Sequence, residues 1–453
     1  CIQRLMAKQI AERPLTYGRI FKFWAPLAGT WLMMAIEAPF LGAIIARLPG
    51  PTENLAAWGV SVAFALLIES PVIMLLSAAT ALVRDKTSYL ALRRFTYTLN
   101  ILLTAVMVLV LIPPVFRVLT GTLLNLPNEV AQLTYGALML LLPWPAAIGY
   151  RRFLQGTLVR HNMTRRVAYG TVVRMVFMAL SAAIGANFLN FSGAQVGAFA
   201  LSTGVVAEAI ASRLMAAGIV AELLGGRRET TQSQELTLTG IANFYFPLAT
   251  MSILAMTLHP MLTFFVGRSR LALESLAVLP VVHGLVFLFR AVGLSYQEVT
   301  IALMGDRAEN YDRIANFAII IGVSTSAILS LIIFTPLANA WFQTVSGLSP
   351  KLAELALAPA RIAALLPALS VLMSFQRAIL VHSRLTRPLT GATVLEIAAT
   401  AVILSVAIFG YHIMGAIAAT LAMVLGRVAG NLYLTPPCIK AVHGLRNGDH
   451  TKL

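Results

Sequence analysis

Between Phe23 and Leu434 the chain returns repeatedly to apolar blocks of about 20 residues, separated by short polar or basic turns. A helix of that length crosses a hydrocarbon core roughly 30 Å thick. No water reaches the backbone N–H and C=O groups inside such a core, so each crossing block is confined to a helix. Twelve blocks fit, at about 23–46, 55–83, 95–113, 130–158, 167–189, 194–221, 244–266, 276–304, 316–335, 352–380, 390–410 and 414–435. What remains is too short for a separate soluble unit of ~100 residues. Composition agrees, because only 11% of residues are charged against roughly 25% in a soluble domain. The expected fold is an all-α integral membrane protein with twelve transmembrane helices.

Basic residues orient that body. With a cytoplasmic N-terminus, 24 of the 34 Lys and Arg residues are assigned to the inner side, among them Arg151, Arg152 and Arg377 at the inner ends of their blocks, and 5 to span interiors. Only Arg47, Arg117, Arg268, Arg270 and Lys351 remain for the outer loops. The positive-inside rule then puts both termini in the cytoplasm and the protein in a cell membrane. The net charge of +16 is expected to face anionic lipid headgroups and not nucleic acid. Residues 1–22 are basic and amphipathic, which predicts a segment lying along the inner interface. The first apolar block is of full spanning length with no small-residue cleavage site behind it, so no cleavable signal is expected. Cys1 in first position is read as a missing start, not a lipidated residue, since a multi-pass body needs no acyl anchor. Cys1 and Cys438 lie at opposite ends, which leaves no disulfide framework and no CxxC metal site.

The chain also repeats itself. At an offset of 221, Phe23, Pro26, Leu27, Ala28, Pro39 and Arg47 fall on Phe244, Pro247, Leu248, Ala249, Pro260 and Arg268. At an offset of 222, Pro145, Leu158, Thr171 and Gly193 fall on Pro367, Leu380, Thr393 and Gly415. Each unit holds six spans, an even number, so both units enter the membrane in the same direction and form parallel lobes. The expected organisation is a 1–22 N-terminal segment, an N-lobe at 23–221, a polar cytoplasmic linker at 222–237, a C-lobe at 238–435 and a tail at 436–453. Parallel lobes rocking about a site at their interface are an alternating-access design. Gly193xxxGly197 and Gly426xxxGly430 are expected to serve close helix packing.

Charges inside spans are costly and should face a cavity or a partner. Glu37, Glu69, Glu208, Glu298, Glu396, Arg174, Arg213, Arg290, Arg361 and Arg427 are the candidates. Arg174, Arg213, Glu298 and Glu396 stand near span ends, where snorkelling toward the inner surface would satisfy them. Glu69 and Arg290 are repeat equivalents of opposite charge. They would form a gate-like pair across the pseudo-axis if both point inward; otherwise each has a partner within its own lobe. Glu37 precedes Pro39, and a desolvated carboxyl there is a candidate for loading and releasing a coupling proton. His259 takes the corresponding place before Pro260. His283 reads as a polar lining residue. Arg361 lies between Pro359 and Pro367, where a loosened helix would present its guanidinium to a carboxylate or phosphate. No GxxxxGK[ST], HExxH or GxSxG pattern is present, so enzymatic function and a cofactor are not expected.

Phe244-x-x-Pro247-Leu248-Ala249 with Pro260 and Phe265-Val266-x-Arg268, and Pro359-x-Arg361-Ile362 with Pro367, resemble the progressive ankylosis family. That family stands within the MOP superfamily, beside the multidrug and toxin extrusion (MATE) transporters and the lipid-linked oligosaccharide flippases. The resemblance implies a twelve-helix, two-lobed exporter of a pyrophosphate-, nucleotide- or citrate-like anion, and the separate expectation is a secondary active monomer with a proton or sodium as coupling ion. Arg290, Arg361 and His259 are then the expected substrate-binding residues, with Glu37 and Glu69 for ion coupling. His259 departs from the permanently basic residue of the animal relatives. The rival readings are a lipid-linked oligosaccharide flippase, a cation-coupled multidrug exporter, and a membrane-embedded enzyme or scaffold.

Overall fold

The computed structural model describes residues 15–161, 163–225, 238–305, 307–383, 385 and 387–447. Twelve helices within it are long and apolar enough to cross a membrane. They are α1 (Tyr17–Ile45), α2 (Pro51–Leu82), α3 (Lys86–Leu111), α4 (Asn128–Arg160), α5 (Arg165–Phe188), α6 (Gly193–Gly225), α7 (Leu238–Val266), α8 (Ala272–Leu303), α9 (Tyr311–Ile333), α10 (Pro350–His382), α11 (Arg387–Gly410) and α12 (Gly415–Arg446). The packing is inverted relative to a soluble protein. Ile101, Leu214, Phe246 and Val323 are exposed, while Arg151, Glu208 and Glu396 are buried. Such an exterior is compatible only with an apolar surrounding.

Helix ends follow ordinary local chemistry. Asp85 and Ser88 close a capping box at the start of α3, with Ser88 N–H donating to Asp85 Oδ1 at 2.8 Å and Asp85 N–H to Ser88 Oγ at 3.0 Å. Pro51 opens α2, where its missing N–H leaves no helical bond unmade. Prolines also break helices midway, since each removes one backbone hydrogen bond and its ring crowds the preceding turn. α1 breaks at Ile36, three residues before Pro39, and α7 breaks at Thr257, three before Pro260. α10 breaks at Ala364–Leu365, just ahead of Pro367.

Features recur at the repeat offsets. Two π-helical turns occupy Val118–Leu123 and Ala340–Val345. Left-handed backbone falls at the paired positions Gly50 and Leu271, Asn125 and Gly347, and Asn190 and His412. The lobes meet along α2 and α8, where Gly59 accepts the ring of Pro280, its own repeat equivalent; a Cβ on Gly59 would come within 2.7 Å of that ring. The inner half of each lobe's first helix packs on the opposite lobe. Trp24 Nε1 donates to the Val292 carbonyl at 3.3 Å, and the Tyr245 hydroxyl donates to the Pro71 carbonyl. Ile20 and Ile241, both fully buried, seat these two helices in the partner cores.

Several sequence-based boundaries shift. Residues 17–22, read from sequence as part of a segment along the inner interface, continue the helix of the first span. α6 runs to Gly225, into the stretch assigned to the linker, and α12 extends to Asn447 through Pro436 and Pro437, into the stretch assigned to the tail. The rest of the N-terminal segment (1–14), of the linker (226–237) and of the tail (448–453) lies outside the described residues. Both glycine pairs sit at helix contacts, Gly197 against Ile45 and Trp58, and Gly426 against α11.

Candidate functional site

Each lobe holds a charged cluster in its interior. In the N-lobe, Arg174 on α5 donates to Glu37 at the break of α1, and its Nε lies 3.5 Å from Glu208 on α6. Glu208 is fully buried and also pairs with Arg151 on α4. Gln155, one helical turn beyond Arg151, donates to the second carboxylate oxygen at 3.0 Å. Glu69 ends the first segment of α2, buried, in the field of Arg151, Arg152 and Arg174. Its Oε2 accepts no hydrogen bond among the described residues. A charge removed from water and left alone costs several kcal/mol, so such a network holds only when its members are matched. Among the described residues it is matched: three carboxyls, Glu37, Glu69 and Glu208, face three guanidinium groups, Arg151, Arg152 and Arg174.

The C-lobe cluster is built from equivalent elements with different charge. Arg427 on α12 pairs with Glu396 on α11 at 2.9 Å. Arg290 on α8 donates through Nε to Ser370 Oγ on α10 at 3.0 Å. Arg377, two turns along α10, stands in the field of Arg427 and Glu396, and Arg290 feels the same two groups. His259 and His283 complete the group beside Arg290. Among the described residues, three guanidinium groups here face one carboxylate. Arg290, Arg377, His259 and His283 are half-buried. Nδ1 of His259, Nε2 of His283 and the Nε atoms of Arg377 and Arg427 are buried with no partner among the described residues.

The sequence-based site residues are thus distributed between two clusters. Glu37 and Glu69 belong to the N-lobe cluster, and His259 and Arg290 to the C-lobe cluster. Glu69 and Arg290 form no ion pair among the described residues; each has its electrostatic neighbours within its own lobe. Arg361 stands apart, exposed, with its guanidinium carbon 5.7 Å above the centre of the Phe334 ring. Arg174 and Glu396 are not snorkelling groups but members of interior pairs. Arg151, Arg152 and Arg377, counted above among inner-side charges, belong inside the clusters, which leaves an inner-to-outer split of 21 against 5. The missed signal was the absence of any proline after Pro145 as far as Arg160, or after Pro367 as far as His382, so that each helix runs on through its arginines.

No family model matches the chain, and no curated protein matches it in sequence. Solved structures do match it in fold. A multidrug resistance MATE transporter of the MOP superfamily, in an inward-facing conformation, aligns with a TM-score of 0.71 at 15% identity, covering 93% of this chain and 96% of that one. The lipid II flippase MurJ, in an inward closed conformation, aligns with a TM-score of 0.70 at 13% identity over 93% and 90%. A MOP superfamily transporter from Pyrococcus furiosus, described as having a binding pocket of reverse polarity, aligns with a TM-score of 0.61 at 16% identity over 96% and 100%. The chain has the twelve-helix, two-lobed MATE/MOP fold.

Proposed function

We propose that this chain is an alternating-access transporter whose C-lobe cluster takes a small multivalent anion such as citrate or pyrophosphate. One observation carries the reading: among the described residues the C-lobe interior holds Arg290, Arg377 and Arg427 against Glu396 alone, whereas the N-lobe cluster is balanced. Two positive charges inside a membrane body with no acidic partner among the described residues need a counter-charge, and planar guanidinium groups bind carboxylate and phosphate oxygens bidentately. The balanced N-lobe cluster is assigned the coupling ion, a proton or sodium, with Glu37 and Glu69 as its carriers. The fold shared with MATE and MurJ proteins supports a membrane transporter, and the Phe244 and Arg361 helix patterns support the finer kinship with the progressive ankylosis family. The 21 to 5 charge split supports cytoplasmic termini in the plasma or inner membrane.

Calorimetry on purified protein tests the reading. Citrate or pyrophosphate is expected to bind the wild type, and Arg290→Ala or Arg427→Ala to weaken binding by about 10- to 150-fold, the effect of losing one charged hydrogen-bonding partner. Arg361→Ala is expected to leave affinity unchanged, because that side chain lies outside the cluster. Binding of organic cations with no binding of any multivalent anion would replace this reading with multidrug export. Binding of a lipid-linked sugar alone would replace it with a flippase.

A further inference from the structure

At the end of the molecule that the charge split assigns to the outer side, two arginines bridge the lobes in the same way. Arg47, just past the end of α1, donates through Nη1 to the Ala43 carbonyl of its own helix at 2.6 Å. Its Nη2 reaches the Thr344 and Val345 carbonyls of the C-lobe at 2.5 and 2.9 Å. Arg268, its repeat equivalent past the end of α7, donates through Nη1 to the Phe264 carbonyl at 3.1 Å and through Nη2 to the Thr122 carbonyl of the N-lobe at 2.8 Å. Thr122 and Thr344 are themselves repeat equivalents, each near the end of a π-helical turn.

The chemistry of the contact is that of a helix C-terminus. The last carbonyls of a helical turn lack intrahelical partners and carry partial negative charge, which a cation stabilises. A guanidinium can hold its own helix with one nitrogen and the opposite lobe with the other, which an ammonium, a single point donor, does less well. The backbones are shaped for the approach. A Cβ on Gly267 would overlap the Leu124 carbonyl, and Gly347, at φ 73°, would press one to 2.9 Å from Arg47 Nη1. Asn125 Nδ2 adds a further cross-lobe bond to the Gly267 carbonyl at 3.4 Å. A surface arginine meeting lipid phosphate would not require such matched backbone on the facing lobe.

We infer that Arg47 and Arg268 form a reciprocal latch that holds the two lobes together at this end and must release before the protein can open there. The inference rests on the alternating-access reading for its meaning. Its test does not use a substrate, so failure of the anion assignment and failure of the latch are separable. Spin labels at Phe188→Cys and Tyr411→Cys, both highly exposed and on opposite lobes at the same end, report the separation in lipid nanodiscs. Cys1→Ser and Cys438→Ala keep the labelling specific.

The protein with both arginines is expected to show mainly the short, closed separation. Arg47→Gln with Arg268→Gln is expected to raise the ratio of open to closed molecules by roughly 10-fold or more for each arginine lost. Either single variant is expected to give about half of that effect on a logarithmic scale, and Arg→Lys at both sites an intermediate one. The single variants serve the same purpose if the double variant does not fold. Distance distributions unchanged from those of the protein with both arginines, in the double variant or in both singles, would overturn the latch. A protein that is already open at this end with both arginines present would overturn it as well.

Discussion

Glu37 shows how a single position acquires meaning from three helices. It stands at the break of α1, where Pro39 removes a backbone hydrogen bond, and its carboxylate is held by Arg174 of α5, which also reaches Glu208 of α6. Protonating Glu37 would release one arm of Arg174 while Glu208 still holds the other, so the charge state of this carboxyl decides how tightly the bent helix is tied to its lobe. Glu37→Gln mimics the protonated form. It is expected to abolish the dependence of transport on a pH gradient while anion binding by calorimetry persists. Unchanged gradient-driven uptake in vesicles containing the variant would move the coupling role to Glu69, the other buried carboxyl facing the same arginines.

Helices in this protein differ in how close they may come, and glycine sets the distance. Gly426 of α12 faces α11, where a Cβ would overlap Thr400 Oγ1 and lie 2.9 Å from the Glu396 carbonyl oxygen. Relief would require the two helices to part, and the Arg427–Glu396 pair spans that same contact. Gly426→Ala is expected to destabilise the purified protein by about 1–3 kcal/mol, the usual effect of overpacking, seen as a fall in the thermal unfolding midpoint. Gly218 on α6 has nothing within 4 Å of where a Cβ would stand. Gly218→Ala should leave the midpoint unchanged or raise it slightly, since alanine favours a helix by roughly 1 kcal/mol over glycine.

At the scale of the whole molecule, two parallel six-helix lobes share one architecture and differ in charge. Even span counts bring Tyr17, Gly225, Leu238 and Asn447 to the same side. With 21 basic residues in the segments read as belonging to that side and 5 in those of the other, we propose by the positive-inside rule that it faces the cytoplasm. A cysteine placed at Thr52, in the first turn of α2, and one placed at Ser233, in the stretch joining the lobes, are therefore expected to react from opposite sides of the membrane. Labelling of both by an impermeant reagent added outside would reject this orientation. The same comparison of lobes is the reason that one is assigned the coupling ion and the other the substrate: a carboxylate held by an arginine can take up a proton and free that arginine, and arginines without an acidic partner attract an anion.

Spans, breaks and the two-lobed repeat were legible in the sequence because their causes are local. Hydrocarbon thickness sets helix length, Pro39, Pro260 and Pro367 interrupt the helices that contain them, and a duplicated pattern of prolines and apolar residues carries its fold with it. The charged clusters were legible only as a list of costly residues. Arg151 and Glu208 stand 57 positions apart, and Arg47 and Thr344 297 apart. Which buried charge meets which depends on how six helices rotate and cross, and no single segment encodes that. Arg361, read in sequence as a substrate ligand between two prolines, turns outward over Phe334, while Arg377, read as an inner-side charge, turns inward. Helical phase and the packing of neighbouring helices decide such directions. An apolar block declares that it must be buried in lipid or protein, but a charge within it declares only that a partner must exist.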